Sequence, residues 1–390
     1  MKKIILILNG SHSEIPLIKS AKRMGLRVIT TGNDPTQIGH KYSDQFIKLD
    51  FSKKKLILNI AKKNKINFIC PPAHDLGIVT ASYIAEKLKL SGYDTYNKTQ
   101  TIHHKNKFKR FCKHINFKTP KTFNQNHSYE HIKKTFNVDK MIIKPTDMGG
   151  GKGITIAEDI NTFKEAVSVA RKVSKSRNII IEDYVEGQLH SLTTYIKKQK
   201  IIFYHHDNEL TYKNPFNVHS SFAPSTLSKK HLKNLIIELE RFSRKLRLVD
   251  GILHAQIIAN KTNAFFIELT RRCSGDLYPL PVEHMTNIPW SNIIIDTFTG
   301  KNVLICKSNN SNKLCARHCL TALKNGTAKK IFIDPDIREN IISQIVFLKK
   351  SQIIRNFANQ KYGVFILTFS NSNEMKEKMS KINELIYIET

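Results

Sequence analysis

"HAQIIANKTNAFFIELTRR", His254–Arg272, holds two apolar runs around the polar turn "NKTN". A turn centred on Thr262 sets Gln256 opposite Glu268 and His254 opposite Thr270 in an antiparallel hairpin. Strand alternation puts these four on one side, with Ala255, Ile257, Ile267 and Leu269 on the other. Opposed residues lie roughly 4.5–5.5 Å apart. An amide oxygen and a carboxylate at that separation can share a hard cation. A solvent-exposed sheet face would carry the same residues, so the hairpin alone leaves both readings open.

Upstream, "MIIKPTDMGGGKGITI", Met141–Ile156, delivers Lys144 from an apolar strand into a glycine loop containing Lys152. It is not a Walker A loop: Thr146 stands where the first glycine belongs, and Gly153 replaces the magnesium-binding Ser/Thr. Gly149, Gly150, Gly151 and Gly153 would let backbone N–H groups approach an anion. A flexible hairpin tip is the alternative. "NIIIEDYVEGQLHS", Asn178–Ser191, is an apolar strand ending at Glu182. Such an edge can read adenine through backbone groups and an acidic side chain, or it can be a strand end before a polar turn.

Residues 1–95 alternate strand and helix: "KIILILN", "EIPLIKSAKRMG", "LRVITTG", "DQFIKLD", "SKKKLILNIAKKNK", "INFICPP", "GIVTASYIAEKLKL". Ser52 is a candidate N-cap for the second helix. Repeated βα units imply a parallel sheet covered by helices. No G-x-G-x-x-G follows the first strand, so a dinucleotide site is not indicated. From Thr99 a basic helix, "KNKFKRFCKH", leads to Pro120. "HHDNELTYKNPFNVHSSFAPS", His205–Ser225, lacks periodicity and reads as a long loop, a candidate for substrate specificity. "RRCSGDLYP", Arg271–Pro279, would form the other wall. The last 85 or so residues read as a small α+β segment.

A chain of 390 residues with 40% hydrophobic content is long enough for two or three globular domains. The opening "MKKIILILNG" has too short an apolar run for a signal peptide, and no stretch approaches the roughly 18 residues of a membrane span. A cytoplasmic protein without membrane contact is expected. The six cysteines, Cys70, Cys112, Cys273, Cys306, Cys315 and Cys319, read as free thiols. "CARHC" has no second ligand cluster near it, so zinc is not expected. The formal charge of +31 suggests anionic partners. The lysines are scattered, with no arginine-rich block among aromatics, so nucleic acid is not the expected partner.

Taken in order, Lys105, Lys144-Pro145 with its glycine loop, Glu182 with "EG", and "IELTRRCSGD" resemble the ATP-grasp superfamily. The resemblance covers roughly residues 1–300 and is closest to the biotin-carboxylase and carbamoyl-phosphate-synthetase-like branch. It implies an α/β ATP-grasp fold. Residues 1–100 would be an N-terminal parallel α/β domain and 101–305 the ATP-grasp domain, with a lid at about 118–184. Residues 306–390 would be a small C-terminal α+β segment.

The same resemblance implies roles. Lys105 and Lys144 would contact ATP phosphates, and Gly149, Gly150, Gly151, Lys152 and Gly153 would close over them. Lys107 competes with Lys105, which lies better placed relative to the "KTP" exit. Glu182 would meet the adenine amino group, and Tyr184–Val185 would supply backbone contacts. Leu189 stands at the usual ribose-binding Glu, and His190 would substitute. Gln256, Glu268 and Thr270 would carry Mg2+, with Mn2+ as an alternative; Thr270 replaces the usual Asn with a shorter, neutral ligand. Arg272 would act with Lys144 in catalysis, near the reacting carbonyl.

The implied activity is an ADP-forming ligase that activates a small carboxylate as an acyl phosphate and couples it to an amine. A homodimer is compatible with the resemblance. A bicarbonate-dependent carboxylase, a carbamoyl-phosphate-type enzyme and a degenerate ATP-binding module remain the alternatives.

Overall fold

The computed structural model describes residues 2–305 and 313–390. Cys306 and the expected domain boundary beside it lie outside the described residues. Four strands, β1 (Ile4–Leu8), β2 (Arg27–Gly32), β3 (Gln45–Lys48) and β4 (Phe68–Cys70), form a parallel sheet in the order β3-β2-β1-β4. β1 is apolar on both faces because both are covered. Ile5 and Ile7 pack with Leu17 and Ile18 of helix Ile15–Arg23 and with Trp290 and Ile294 of helix Trp290–Phe298. Leu6 and Leu8 pack against helices Lys54–Lys63 and Asp75–Leu88. Helix Lys54–Lys63 is preceded by Lys53 without a side-chain cap, so Ser52 does not serve as its N-cap.

A second sheet holds β5 (Thr122–Phe123), β6 (Met141–Pro145), β7 (Thr155–Ala157) and β8 (Ile179–Asp183), antiparallel in the order β5-β8-β6-β7. Helices Tyr129–Phe136 and Ile160–Val173 close a separate small core around Met141, Ile143 and Ile181.

The third sheet has eight antiparallel strands. They are β9 (Gln188–Lys197), β10 (Lys200–Thr211), β11 (Val218–Ala223), β12 (Gly251–Ala259), β13 (Ala264–Thr270), β14 (Cys315–Leu320), β17 (Ile341–Val346) and β19 (Gly363–Thr368), in the order β13-β12-β9-β10-β11-β14-β19-β17. Two small pairs complete the C-terminal part: β15 (Gly326–Thr327) with β18 (Ile353–Ile354), and β16 (Lys330–Ile333) with β20 (Ile386–Glu389). One face of the large sheet packs on helix Lys229–Leu246 and helix Lys105–His114, where Phe117 stacks on Phe266 at 4.6 Å and tilts against Phe242 at 4.9 Å.

Two expectations need correction. His205–Ser225 is not a long loop but most of β10, a short turn and β11. Its period-2 signal is hidden because the inward side chains are polar: His205, Asp207, Glu209 and Ser221 are all buried. The C-terminal segment joins the same sheet, since β14 pairs directly with β11. In the hairpin, Gln256 faces Glu268 and His254 faces Thr270 as expected, but a bulge follows and Ile257 faces Phe266. The extra residue is Ile267, which is half-buried; Phe266 joins the core instead.

Candidate active site

Register and alternation place one row of polar side chains on the sheet face opposite the aromatic core. Glu268, Gln256, Ser191 and Asp207 lie side by side across β13, β12, β9 and β10. One step along, Glu209, Ser221 and Arg317 continue across β10, β11 and β14. Hydrogen bonds tie the face together. Gln256 Nε2 donates to Glu209 Oε2 at 2.7 Å, and Tyr278 Oη donates to Asp207 Oδ1 at 2.9 Å. Thr193 Oγ1 and His254 Nδ1 are 2.6 Å apart. Burial pushes the Glu209 carboxyl up to about 7, against the opposing pull of the Gln256 hydrogen bond.

His190 does not join this face. Its neighbour Ser191 pairs with Gln256, so His190 points the other way, beside Ile257 of the core, and is buried. Burial lowers its pKa to about 4. Leu189 takes the face position and is half-buried.

The cationic side of the cleft comes from the small sheet and helix Lys105–His114. Lys144 Nζ lies 2.6 Å from Glu182 Oε2, and Lys109 Nζ lies 2.5 Å from Glu182 Oε1. Burial alone would raise Glu182; the two ammonium groups outweigh it and bring the carboxyl down to about 2. Glu182 is therefore fully engaged by lysines, and its side chain is not free to meet a base. Tyr184 N–H is taken by the Lys140 carbonyl, while Val185 N–H donates to no backbone carbonyl among the described residues. Lys105 Nζ donates to the Met148 carbonyl at the root of the glycine loop. Burial lowers its pKa, and Glu268 across the cleft raises it. Lys107 instead bonds Gln100 Oε1 at 2.9 Å.

Gly150, Gly151 and Gly153 all have positive φ. Gly151 rests on the turn between β10 and β11, where a Cβ would sit 2.7 Å from the Phe216 carbonyl oxygen. The loop thus spans from Lys105 to the large sheet. Lys152 is exposed.

Between the two sides lies the segment after β13. Arg272 Nε donates to Asp75 Oδ1 at 2.8 Å, at the start of helix Asp75–Leu88. His103 Nδ1 meets the same oxygen at 3.1 Å and its Nε2 accepts from Arg271 N–H, so His103 is the Nδ1–H tautomer. Thr270 Oγ1 also reaches Asp75, at 3.4 Å. The adjacent Arg271 is buried and structural, paired with Asp94 at 2.9 Å. Asp276 and Leu277 both adopt left-handed backbone angles, φ 54 and 59. That conformation costs about 1–3 kcal/mol per non-glycine residue and gathers at functional sites.

Lys109, Asp75 and Glu209 were not singled out from sequence. Lys109 had a readable signal, because it follows Lys105 by four residues and shares its helix face. Asp75 and Glu209 had none: they meet their partners across 197 and 47 residues of chain.

Residues 102–276 match the family described as "ATP-grasp domain". The carbamoyl phosphate synthase large chain of Clostridium botulinum is 23% identical over 298 residues, covering 70% of this chain and 27% of that protein. The Thermoanaerobacter pseudethanolicus counterpart is 21% identical over 332 residues, covering 78% of this chain and 29% of its own. The chain thus spans less than a third of the length of these relatives. Among solved structures, phosphoribosylglycinamide synthetase from Anaerococcus prevotii superimposes with TM-score 0.79 at 21% identity, covering 100% of both chains. L-amino acid ligase from Bacillus licheniformis gives 0.80 at 15%, covering 100% of this chain and 98% of that one. Biotin carboxylase from Campylobacter jejuni gives 0.78 at 16%, covering 100% and 92%. The structural likenesses run the length of the chain and, with the family match over residues 102–276, establish the ATP-grasp fold.

Proposed function

Residues 102–276 being an ATP-grasp domain, we propose that this chain is an ATP-dependent, ADP-forming ligase that activates a carboxylate as an acyl phosphate and joins it to an amine. The observation that carries the reading is the convergence of Lys105 and Lys144 on one side of a cleft with Glu268 and Gln256 on the other. Glu268 and Glu182 both raise the pKa of Lys105 against its burial, which supports the reading that the two walls share one cleft.

The residues suit a divalent cation. Glu268 is exposed, with no hydrogen bond or ion pair among the described residues, and Gln256 lies opposite it. Because Gln256 Nε2 is committed to Glu209, its oxygen is the atom left for a metal. Thr270 is a poorer third ligand, being buried and turned to Asp75. Bound there, Mg2+ would supply charge neutralisation on the phosphates.

In this reading Lys105 and Lys144 take the phosphate oxygens, and the loop Gly149–Gly153 folds over them and excludes water. The substrate carboxylate attacks the γ-phosphate, and ADP leaves. The amine then attacks the acyl carbon. Arg272, whose Nη2 has no partner among the described residues, stabilises the oxyanion as phosphate departs. The test is ADP release from a panel of small acids with hydroxylamine as trap. Hydroxamate formed only with ATP supports an acyl phosphate; no ADP and no hydroxamate with any acid refutes it.

A further inference from the structure

Three consecutive residues, Thr270, Arg271 and Arg272, are each tied to the same pair of side chains from outside the large sheet. Thr270 Oγ1 lies 3.4 Å from Asp75 Oδ1, Arg271 N–H donates to His103 Nε2 at 3.3 Å, and Arg272 Nε donates to Asp75 Oδ1 at 2.8 Å. His103 closes the set: with Nε2 accepting, its Nδ1–H is the donor to Asp75 Oδ1 at 3.1 Å. Asp75 opens helix Asp75–Leu88, which covers the parallel sheet, and His103 ends helix Tyr96–His103, two residues ahead of Lys105. One carboxylate oxygen therefore gathers donors from widely separated parts of the chain.

The consequence falls on Arg272. An arginine side chain has many rotamers, and its planar fork acts in one direction only when other bonds hold it. Here Nε is spent on Asp75 and Nη1 on the Cys273 carbonyl at 3.0 Å. Those two bonds fix the plane of the group and leave Nη2 as the edge it presents. The Cys273 bond is to the next residue of the same chain segment, so it orients the group only relative to its own backbone. Asp75 orients it relative to the parallel-sheet region, and Asp75 is in turn held by His103, whose side chain is 1% exposed. A purely structural ion pair looks different in this molecule. Asp94, the partner of Arg271, is 2% exposed, whereas Asp75 keeps 41% of its side chain exposed and its Oδ2 without a partner among the described residues. An ion pair so open to solvent adds little to stability. What it supplies is direction.

We propose that Asp75 and His103 are positioning residues, which aim Arg272 so that its free Nη2 edge meets the oxyanion of the acyl-transfer step. This deepens the ligase reading and rests on it. Neither residue needs to touch substrate: Asp75 acts through the Arg272 guanidinium, and His103 acts through Asp75. The parallel-sheet region is then a working part of the site, because it carries the carboxylate that gives Arg272 its bearing. His103 also stands at the turn into helix Lys105–His114, so the same pair ties Arg272 to the helix that delivers Lys105 to the phosphates.

The test uses the full chain, the panel of small acids and the hydroxylamine trap. Asp75→Ala should lower kcat by about 10–10²-fold, the scale of a small misplacement of a catalytic group, with the KM for ATP unchanged. Asp75→Asn keeps an oxygen for Arg272 Nε and should recover part of the loss. His103→Phe should lower kcat in the same sense, and His103→Asn, which keeps an N–H donor near the Nδ1 position, should recover part of it. Added to Arg272→Ala, Asp75→Ala should cost almost nothing more, since there is no guanidinium left to aim; a merely structural role would add its full cost in the double variant. Nuclear magnetic resonance of arginine-labelled protein gives a readout apart from turnover. The Arg272 Nε–H signal, assigned by its loss in Arg272→Lys, should exchange slowly in the wild type, rapidly in Asp75→Ala and at an intermediate rate in Asp75→Asn. Circular dichroism checks folding, and the Asp75→Asn and His103 variants carry the test if Asp75→Ala does not fold. Unchanged kcat in Asp75→Ala and His103→Phe, or full additivity with Arg272→Ala, overturns this inference and leaves the ligase reading standing. A wild-type protein that forms neither ADP nor hydroxamate with any acid overturns the ligase reading and this inference with it.

Discussion

Glu182 sits between two lysines from different parts of the chain, Lys109 at 2.5 Å and Lys144 at 2.6 Å. Lys144 is the strand-end lysine expected at the phosphates, so Glu182 sets where that ammonium points. Glu182→Leu should leave one buried and one half-buried ammonium group unpaired and cost about 3–5 kcal/mol. Urea denaturation measures the loss, and the KM for ATP should rise with it. Because the folded carboxyl is depressed to about 2, the pair contributes fully above the unfolded value of about 4.3. That contribution disappears as pH falls from there through about 2, and a denaturation series across the window should show the slope vanish in Glu182→Leu.

Glu268→Gln should be close to neutral for stability, because Glu268 is exposed and makes no contact of its own within the described chain. Its effect should fall on the metal. Manganese binding followed by electron paramagnetic resonance should weaken at least tenfold while the melting temperature moves little. Undiminished manganese binding would remove Glu268 from the cation site.

Gly151 and Gly149 form a matched pair. Gly151→Ala demands a left-handed backbone and places Cβ against the Phe216 carbonyl; Gly149→Ala meets nothing within 4 Å and needs no positive φ. The first should raise the KM for ATP several-fold and the second should not. Equal kinetics for the two would argue against closure of this loop onto the large sheet.

Arg272 and Arg271 are adjacent but should fail differently. Arg272→Ala should slow turnover on the order of 10²–10³-fold, as does losing an oxyanion donor. Arg271→Ala should instead lower stability by about 3–5 kcal/mol by stranding the buried Asp94. Single-turnover rates and urea midpoints separate the two.

His318 is buried on β14, between the Ser220 hydroxyl at 2.9 Å and the Ile386 carbonyl at 3.2 Å, and burial lowers its pKa to about 4. The unfolded chain takes up its proton near 6.5. Stability from this site is therefore complete above about 6.5 and declines as pH falls toward 4, by about 1.4 kcal/mol per pH unit. His318→Gln should flatten that part of the stability profile.

The hairpin His254–Arg272 was legible because alternation and a short turn fix which residues face each other, and one bulge did not disturb the Gln256–Glu268 pair. The Lys144 strand and the glycine loop were legible for the same local reason. β10 and β11 were not, since a strand that lines a buried polar surface carries no hydrophobic alternation to read. Glu182 looked available because nothing local to it announces Lys109, which arrives from a helix 73 positions earlier. His190 was placed in the site by family position, and one step of strand parity turned it away.

The seam between β11 and β14 is four residue pairs deep, from Ser220–His318 to Ala223–Cys315. A polypeptide cut before residue 313 would bare the edge of β11, with its ladder of unsatisfied amides, to any neighbouring chain. Exchange of the tail for that of another protein must therefore rebuild an interior strand junction rather than swap cargo on a tether.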